Sequence, residues 1–163
     1  MNGERFEDGF TVLELVLVLA IIAALIGVAV PSFNSARVKA QERAAQADLR
    51  TALVTANTVY IDAQTFANIS EHDLAVAEPS LRWDAGRFTT GPHSLAVDLS
   101  TNVASGTDPA GVPAILLAED AGDGRCWYAI QADDGAPFYG SGPQVSGRCD
   151  ADQAVAVAAS RTL

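Results

Sequence analysis

Few side chains in this 163-residue chain are of types and spacings that could do chemistry. Two cysteines, Cys126 and Cys149, permit one disulfide and rule out a four-thiolate zinc site. If oxidised they would constrain the unfolded chain by roughly 3 kcal/mol; if reduced they are two buried thiols. His72, in Glu71-His72-Asp73, has the donor types of a metal or acid–base cluster, but one histidine in an acidic loop reads as a solvated turn. His93, beside Pro92, has no ligand partner in the sequence around it. Asp120, Asp123, Asp133 and Asp134 fall in hairpin turns with the oxygen chemistry for calcium, yet without EF-hand spacing or its closing glutamate. Asn68-Ile69-Ser70 is a glycosylation triplet of a kind common by chance. There is no P-loop, G-x-S-x-G or zinc-helix motif. The sequence makes no case for an enzyme, a catalytic residue or a resident metal; calcium in the C-terminal region is the one cofactor left open.

Composition narrows the classes further. Lys and Arg number 10 against 20 Asp and Glu, a net charge of −10 that phosphate would repel, so no direct nucleic-acid binding is expected. The excess is local. Residues 10–63 balance four acids with four bases, whereas residues 64–163 carry 13 acids and 5 arginines. Apolar residues gather at the other end. Phe10–Val30 holds a single charge, Glu14, and Leu15–Val30 holds none.

A membrane-spanning helix needs about 20 apolar residues, and Phe10–Val30 meets that with no polar face. A cleaved secretory signal would be shorter and end in an A-x-A site. Here Pro31-Ser32-Phe33-Asn34 follows, and the helical pattern runs on. Arg5 precedes the span and Arg37, Lys39 and Arg43 follow it, which by the positive-inside rule places the C-terminal side in the cytoplasm. The cysteine pair and the processing motif place it outside. Glu14 is the informative residue. An ionised carboxylate in an apolar helix costs about 2.5–3.5 kcal/mol on insertion scales. It either reaches water at the membrane edge or awaits a cation from another chain, because the apolar run contains none.

Gly9-Phe10-Thr11-Val12-Leu13-Glu14-Leu15, leading into an unbroken apolar helix, resembles the class III signal of type IV pilins and pseudopilins. The resemblance implies that a prepilin peptidase cuts between Gly9 and Phe10 and that Phe10 becomes the N-methylated terminus. It makes Glu14 the assembly carboxylate and residues 1–9 a leader, one that differs from the family's usual basic leader in ending Glu7-Asp8-Gly9. It also implies self-assembly into a helical filament with the pilus assembly machinery. The precursor would sit in the cytoplasmic membrane, the product on the cell surface. A Cys126–Cys149 bridge would resemble the disulfide-closed C-terminal loop of these pilins and favours them over pseudopilins of DNA uptake or of type II secretion, the major ones of the latter binding calcium in their heads. A membrane-anchored binding module or enzyme that never assembles is the third alternative.

The elements that must position these residues follow from periodicity. Pro31 removes the helical partner of the Gly27 carbonyl, so Gly27–Pro31 is expected to be the weakest turn of the first helix. Val38, Ala45, Leu49, Ala52, Leu53, Ala56, Val59 and Tyr60 then recur at helical spacing, predicting an amphipathic helix over 31–63 rather than a coiled-coil stalk. Residues 64–163 read as a head. Phe66–Pro92 is the least regular stretch, Ser94–Leu99, Pro113–Glu119 and Arg125–Ala132 are strands, and Phe138–Gly140 is a weaker fourth. A hairpin turn is expected at Asp120–Gly124. The expectation is an α+β protein: a long helix, half membrane-spanning and half amphipathic, laid on a small antiparallel sheet.

Overall fold

The computed structural model describes residues 10–84, 86–99, 102–103 and 111–159. Thr11 opens the long first helix, α1 (Val12–Ala63): its hydroxyl accepts the Glu14 N–H at 3.2 Å and its carbonyl accepts the Leu15 N–H at 3.1 Å. The helix continues through Gly27 and Pro31. It stops after Ala63 because Gln64 turns left-handed, at φ 62°, and returns its N–H to the Tyr60 carbonyl at 2.7 Å. The chain falls into two units, one ending at Lys39 and one beginning at Ala40.

In the first unit every side chain from Phe10 to Val30 is exposed. In the second, α1 buries one stripe, Ala45, Leu49, Ala52, Leu53 and Ala56, with Val59, Tyr60 and Ala63 half-buried beside it. All of these but Ala63 are positions that the periodicity picks out. Three of the five are alanines, and a stripe of small side chains brings a helix backbone close to what it covers.

What it covers is a sheet of β1 (Trp83–Asp84), β2 (Leu95–Asp98), β3 (Asn102–Val103), β4 (Val112–Asp120), β5 (Arg125–Ala132) and β6 (Phe138–Pro143). The order is β1-β2-β4-β5-β6, with β3 paired to the start of β4 along the edge that β2 also uses. Neighbours are antiparallel except β1 and β2, which run parallel with Trp83 beside Leu95. The sheet is therefore mixed, not antiparallel throughout as the sequence suggested. Two-residue β1 has no periodicity to read, and Asp84 holds the following loop by accepting the Thr90 N–H at 2.7 Å and its hydroxyl at 2.6 Å.

The sheet has a second covering that periodicity does not disclose. Leu95, Val97, Ile115, Leu117 and Ala129 face α1, while Ala96, Leu116, Ala118, Cys126, Tyr128 and Ile130 face the opposite way. There they meet Cys149, Ala151 and Ala154 of the C-terminal segment and its helix α3 (Gln153–Ala159). Gly140 marks how close that helix lies, since a Cβ there would overlap Val157 Cγ1. A strand covered on both faces reads as a continuous apolar run, and Ala114-Ile115-Leu116-Leu117-Ala118 is one.

The stretch that looked irregular is also ordered. It holds a 3₁₀ turn at Phe66–Asn68 and α2 (Glu71–Ala77), which begins in a capping box between Ser70 and Asp73. Phe66, Ile69 and Leu74 drop from it into the core beneath α1.

Candidate functional site

The first unit presents its chemistry at one end of a bare apolar rod. Phe10 is 82% exposed, and apolar side chains follow it without a covering element. Among the described residues α1 is the one helix long and apolar enough to cross a membrane. Glu14 stands third in that helix, at the position whose backbone N–H Thr11 caps. A carboxylate in a first turn is favoured by the helix dipole, so Glu14 has a local stabilising partner in the peptide backbone. Sequence reading passed over Thr11, although Thr-x-x-Glu before an apolar run is a capping signature. Gly9 and the leader 1–9 lie outside the described residues. Around Gly27 a Cβ would meet nothing, so no packing demands a glycine there.

In the second unit Cys126 and Cys149 are bonded and fully buried. The bridge joins β5 to the segment before α3, and Thr89 receives that segment: its hydroxyl accepts the Cys149 N–H at 3.0 Å. Arg87 pairs with Asp150 at 3.0 Å and with Asp152, tying the 86–90 loop to the same segment.

Three of the turn aspartates, Asp120, Asp123 and Asp133, accept backbone N–H groups. Asp120 accepts the Gly122 N–H at 2.7 Å and Asp123 that of Arg125 at 3.0 Å. Asp133 accepts the Thr65 hydroxyl at 2.6 Å and the Phe66 N–H at 2.9 Å, pinning the end of α1. The two turns lie at opposite ends of β5 and do not form one cluster. Glu71-His72-Asp73 is divided too, as the first turn of α2. Glu71 accepts the Gly86 N–H at 2.6 Å, Asp73 closes the capping box, and His72 is exposed. Asn68 is exposed at the end of the 3₁₀ turn.

His93 has no ligand-type neighbour nearby in the chain, but the fold brings two acidic side chains close to it. Its backbone is left-handed, at φ 54°, and its N–H donates to the Asp120 carbonyl at 2.8 Å, which seats the imidazole over the end of β4. Donor atoms of Asp48 on α1, His93 and Glu119 on β4 lie within 4.8 Å of one another. Glu119 follows Ile115 and Leu117 on the face toward α1, and its side chain is 1% exposed. Neither carboxylate oxygen receives a hydrogen bond from a backbone N–H, a hydroxyl or a base. Burial first, then the negative charges of Asp48 and Asp120, push this carboxyl up to about 9. Asp48 faces it closely enough to repel it when both are charged and to share a hydrogen bond with it when one of the two holds a proton.

One signal of this cluster was available: a glutamate in register with Ile115 and Leu117 on a strand whose core face is otherwise apolar. The partners were not, because Asp48 and His93 come from distant parts of the chain. No family model matches the chain, and no curated protein or solved structure matches it either.

Proposed function

We propose that the chain is a prepilin, cut between Gly9 and Phe10, N-methylated on Phe10, and assembled through its first helix into a type IV filament. The observation that carries this reading is the join between two features. A prepilin-type signal with glutamate at the fifth position after the cut leads straight into a helix that is bare from Phe10 to Val30. The same helix, from Ala40, is built into a head. A large uncovered apolar surface is rare on a protein that stays monomeric in water. Lipid covers it before assembly, and the same segments of neighbouring subunits cover it afterwards.

The chemistry of the cut explains the glutamate. Hydrolysis at Gly9 frees an amine on Phe10, one helical turn from Glu14. In a staggered bundle the amine of one subunit meets Glu14 of the next, and a paired charge costs far less in an apolar core than a lone one. The pairing also sets the axial register. The disulfide-closed C-terminal segment favours a pilin over a pseudopilin of type II secretion or DNA uptake. The chain would be a single-pass protein of the cytoplasmic membrane as precursor and a surface subunit as product.

The test is mass spectrometry on filaments sheared from cells. The expected subunit begins at Phe10 and carries one added methyl. Filaments containing a chain with Met1 intact, or no filaments from a strain that expresses the protein, would overturn the reading.

A further inference from the structure

We propose that Asp48, His93 and Glu119 form a binding site for a divalent transition-metal ion of the zinc class, held within the head. Geometry and burial argue it together, and neither depends on the filament reading. His93 Nδ1 lies 3.9 Å from Glu119 Oε1. That is too long for a hydrogen bond but suits two ligands of one ion. Donors bound to zinc at about 2.0–2.2 Å sit roughly 3.5 Å from each other, so side-chain movement of about 1 Å closes the cluster. His93 is the exposed member, at 43%, and leaves the ion a route to solvent.

Glu119 supplies the independent argument. A carboxyl 1% exposed, whose oxygens receive no hydrogen bond from a backbone N–H, a hydroxyl or a base and face a second acid, Asp48, is a costly feature for a fold to carry. Among the described residues no arginine or lysine lies within ion-pair distance of Glu119 or Asp48. The groups facing Glu119 are therefore a second carboxylate and an imidazole. Two acids and an imidazole turned toward one point, with no arginine or lysine beside them, make a ligand set for a cation.

The donor set selects the class. Calcium takes six to eight oxygens and magnesium keeps a shell of water, whereas one imidazole with two carboxylates suits zinc and its neighbours. Three protein ligands leave a fourth position for water. The site would also join three elements far apart in sequence: α1, the loop at His93 and the end of β4.

The experiment titrates the full chain, purified in detergent without a polyhistidine tag and stripped with chelator. Zn²⁺ is followed by calorimetry and Co²⁺ by its visible absorption. One equivalent of Zn²⁺ should bind, the Co²⁺ spectrum should be that of a four- or five-coordinate ion, and the head should unfold at a higher temperature. Ca²⁺ and Mg²⁺ at the same concentration should do none of this. Glu119→Gln keeps the side-chain shape, and His93→Gly suits the left-handed backbone, so both variants should fold as judged by circular dichroism. Each should weaken Zn²⁺ binding by roughly 100-fold or more, since losing even an outer-shell partner costs about 10–100-fold. His72→Ala, on an exposed histidine outside the cluster, should bind as the parent does. Three results would overturn the proposal: no zinc binding by the parent, unchanged binding in folded Glu119→Gln and His93→Gly, or calcium binding as tight as zinc.

Discussion

The two halves of α1 share one secondary structure and have opposite surroundings. From Phe10 to Val30 the helix is apolar on all sides and no side chain is covered. From Ala40 onward one stripe is buried, Ala45 to Ala56, and the remaining faces are mostly polar or charged, with Val54 and Ile61 as exposed exceptions. Backbone hydrogen bonding does not distinguish them. What differs is the width of the apolar surface: a stripe can be satisfied by one sheet, whereas a whole circumference needs lipid or several neighbouring helices. The second half is also fixed by polar contacts that tolerate a single register. Asn57 and Gln131 exchange two amide hydrogen bonds, each 3.0 Å, between α1 and β5. The first half has one charged side chain between Phe10 and Val30, Glu14, and it stands in the first turn of the helix, where the helix dipole favours it.

The sharpest way to break this comparison is to remove that carboxylate. If the first half only anchors the protein, Glu14→Leu should leave it in the membrane and bind lipid more strongly. If the first half assembles, the substitution leaves the Phe10 amine of each neighbour unpaired in an apolar bundle, at several kcal/mol per subunit. The expected outcome is normal insertion, near-normal cleavage and loss of filaments, with Glu14→Asp intermediate because its reach is one methylene shorter. Electron microscopy of a strain carrying Glu14→Leu as its only copy checks this. Filaments at parental numbers would return the segment to the status of an anchor.

A smaller effect separates the halves by stability. Leu117 is fully buried between α1 and the sheet, while Leu19 is 56% exposed in the bare half. Leu117→Ala should destabilise the head by about 3–5 kcal/mol, the transfer and cavity cost of a large-to-small core change. Leu19→Ala should leave head unfolding where it was. Chemical denaturation of the full chain in detergent, followed by the fluorescence of Trp127 and Trp83, measures both. Equal losses would mean that the bare half is part of the head's cooperative unit.

Legibility in the sequence follows the same division. β5 is found at Arg125–Ala132, the range expected, and α1 ends at the expected Ala63. Both are long, strongly patterned and closed by a turn. α3 was missed because Gln153–Ala159 is mostly Ala and Val in alternation, a pattern that suits a strand as well as a helix. Its packing against β5 and β6, beside the disulfide, decides the matter. The parallel pairing of β1 with β2 is likewise set by the Asp84–Thr90 contacts rather than by any periodicity. The carboxylate at position 14 is conspicuous in one dimension because its surroundings are uniform. Glu119 is less so: its register with Ile115 and Leu117 is legible, but it stands next to Asp120 at the end of its strand, and its burial and its neighbours Asp48 and His93 come only with the fold.

The smallest expected effect compares two helix starts built alike. Ser70 caps α2 and Thr11 caps α1, each hydroxyl accepting the third N–H of its helix, at 3.3 and 3.2 Å. Replacing an N-cap serine by alanine costs roughly 1 kcal/mol. α2 carries buried Leu74 into the core, so Ser70→Ala should lower the unfolding temperature of the head slightly. Thr11→Ala should not move it, because no buried side chain depends on that turn. Acid gives a second reading of the same cap. Hydrogen bonds from the Ser70 side chain, then from its backbone, hold the Asp73 carboxyl below its usual range, with His72 adding. Asp73 therefore contributes stability above the ordinary carboxylate pKa, and that contribution is lost as pH falls through its lowered value. Between neutral pH and about pH 3, Ser70→Ala should lose less stability than the parent, because part of what acid removes is already gone. Thr11→Ala should follow the parent's acid profile throughout. If it instead matched Ser70→Ala, the first turn of α1 would be coupled to the head, and the contrast between the two halves of the helix would fail.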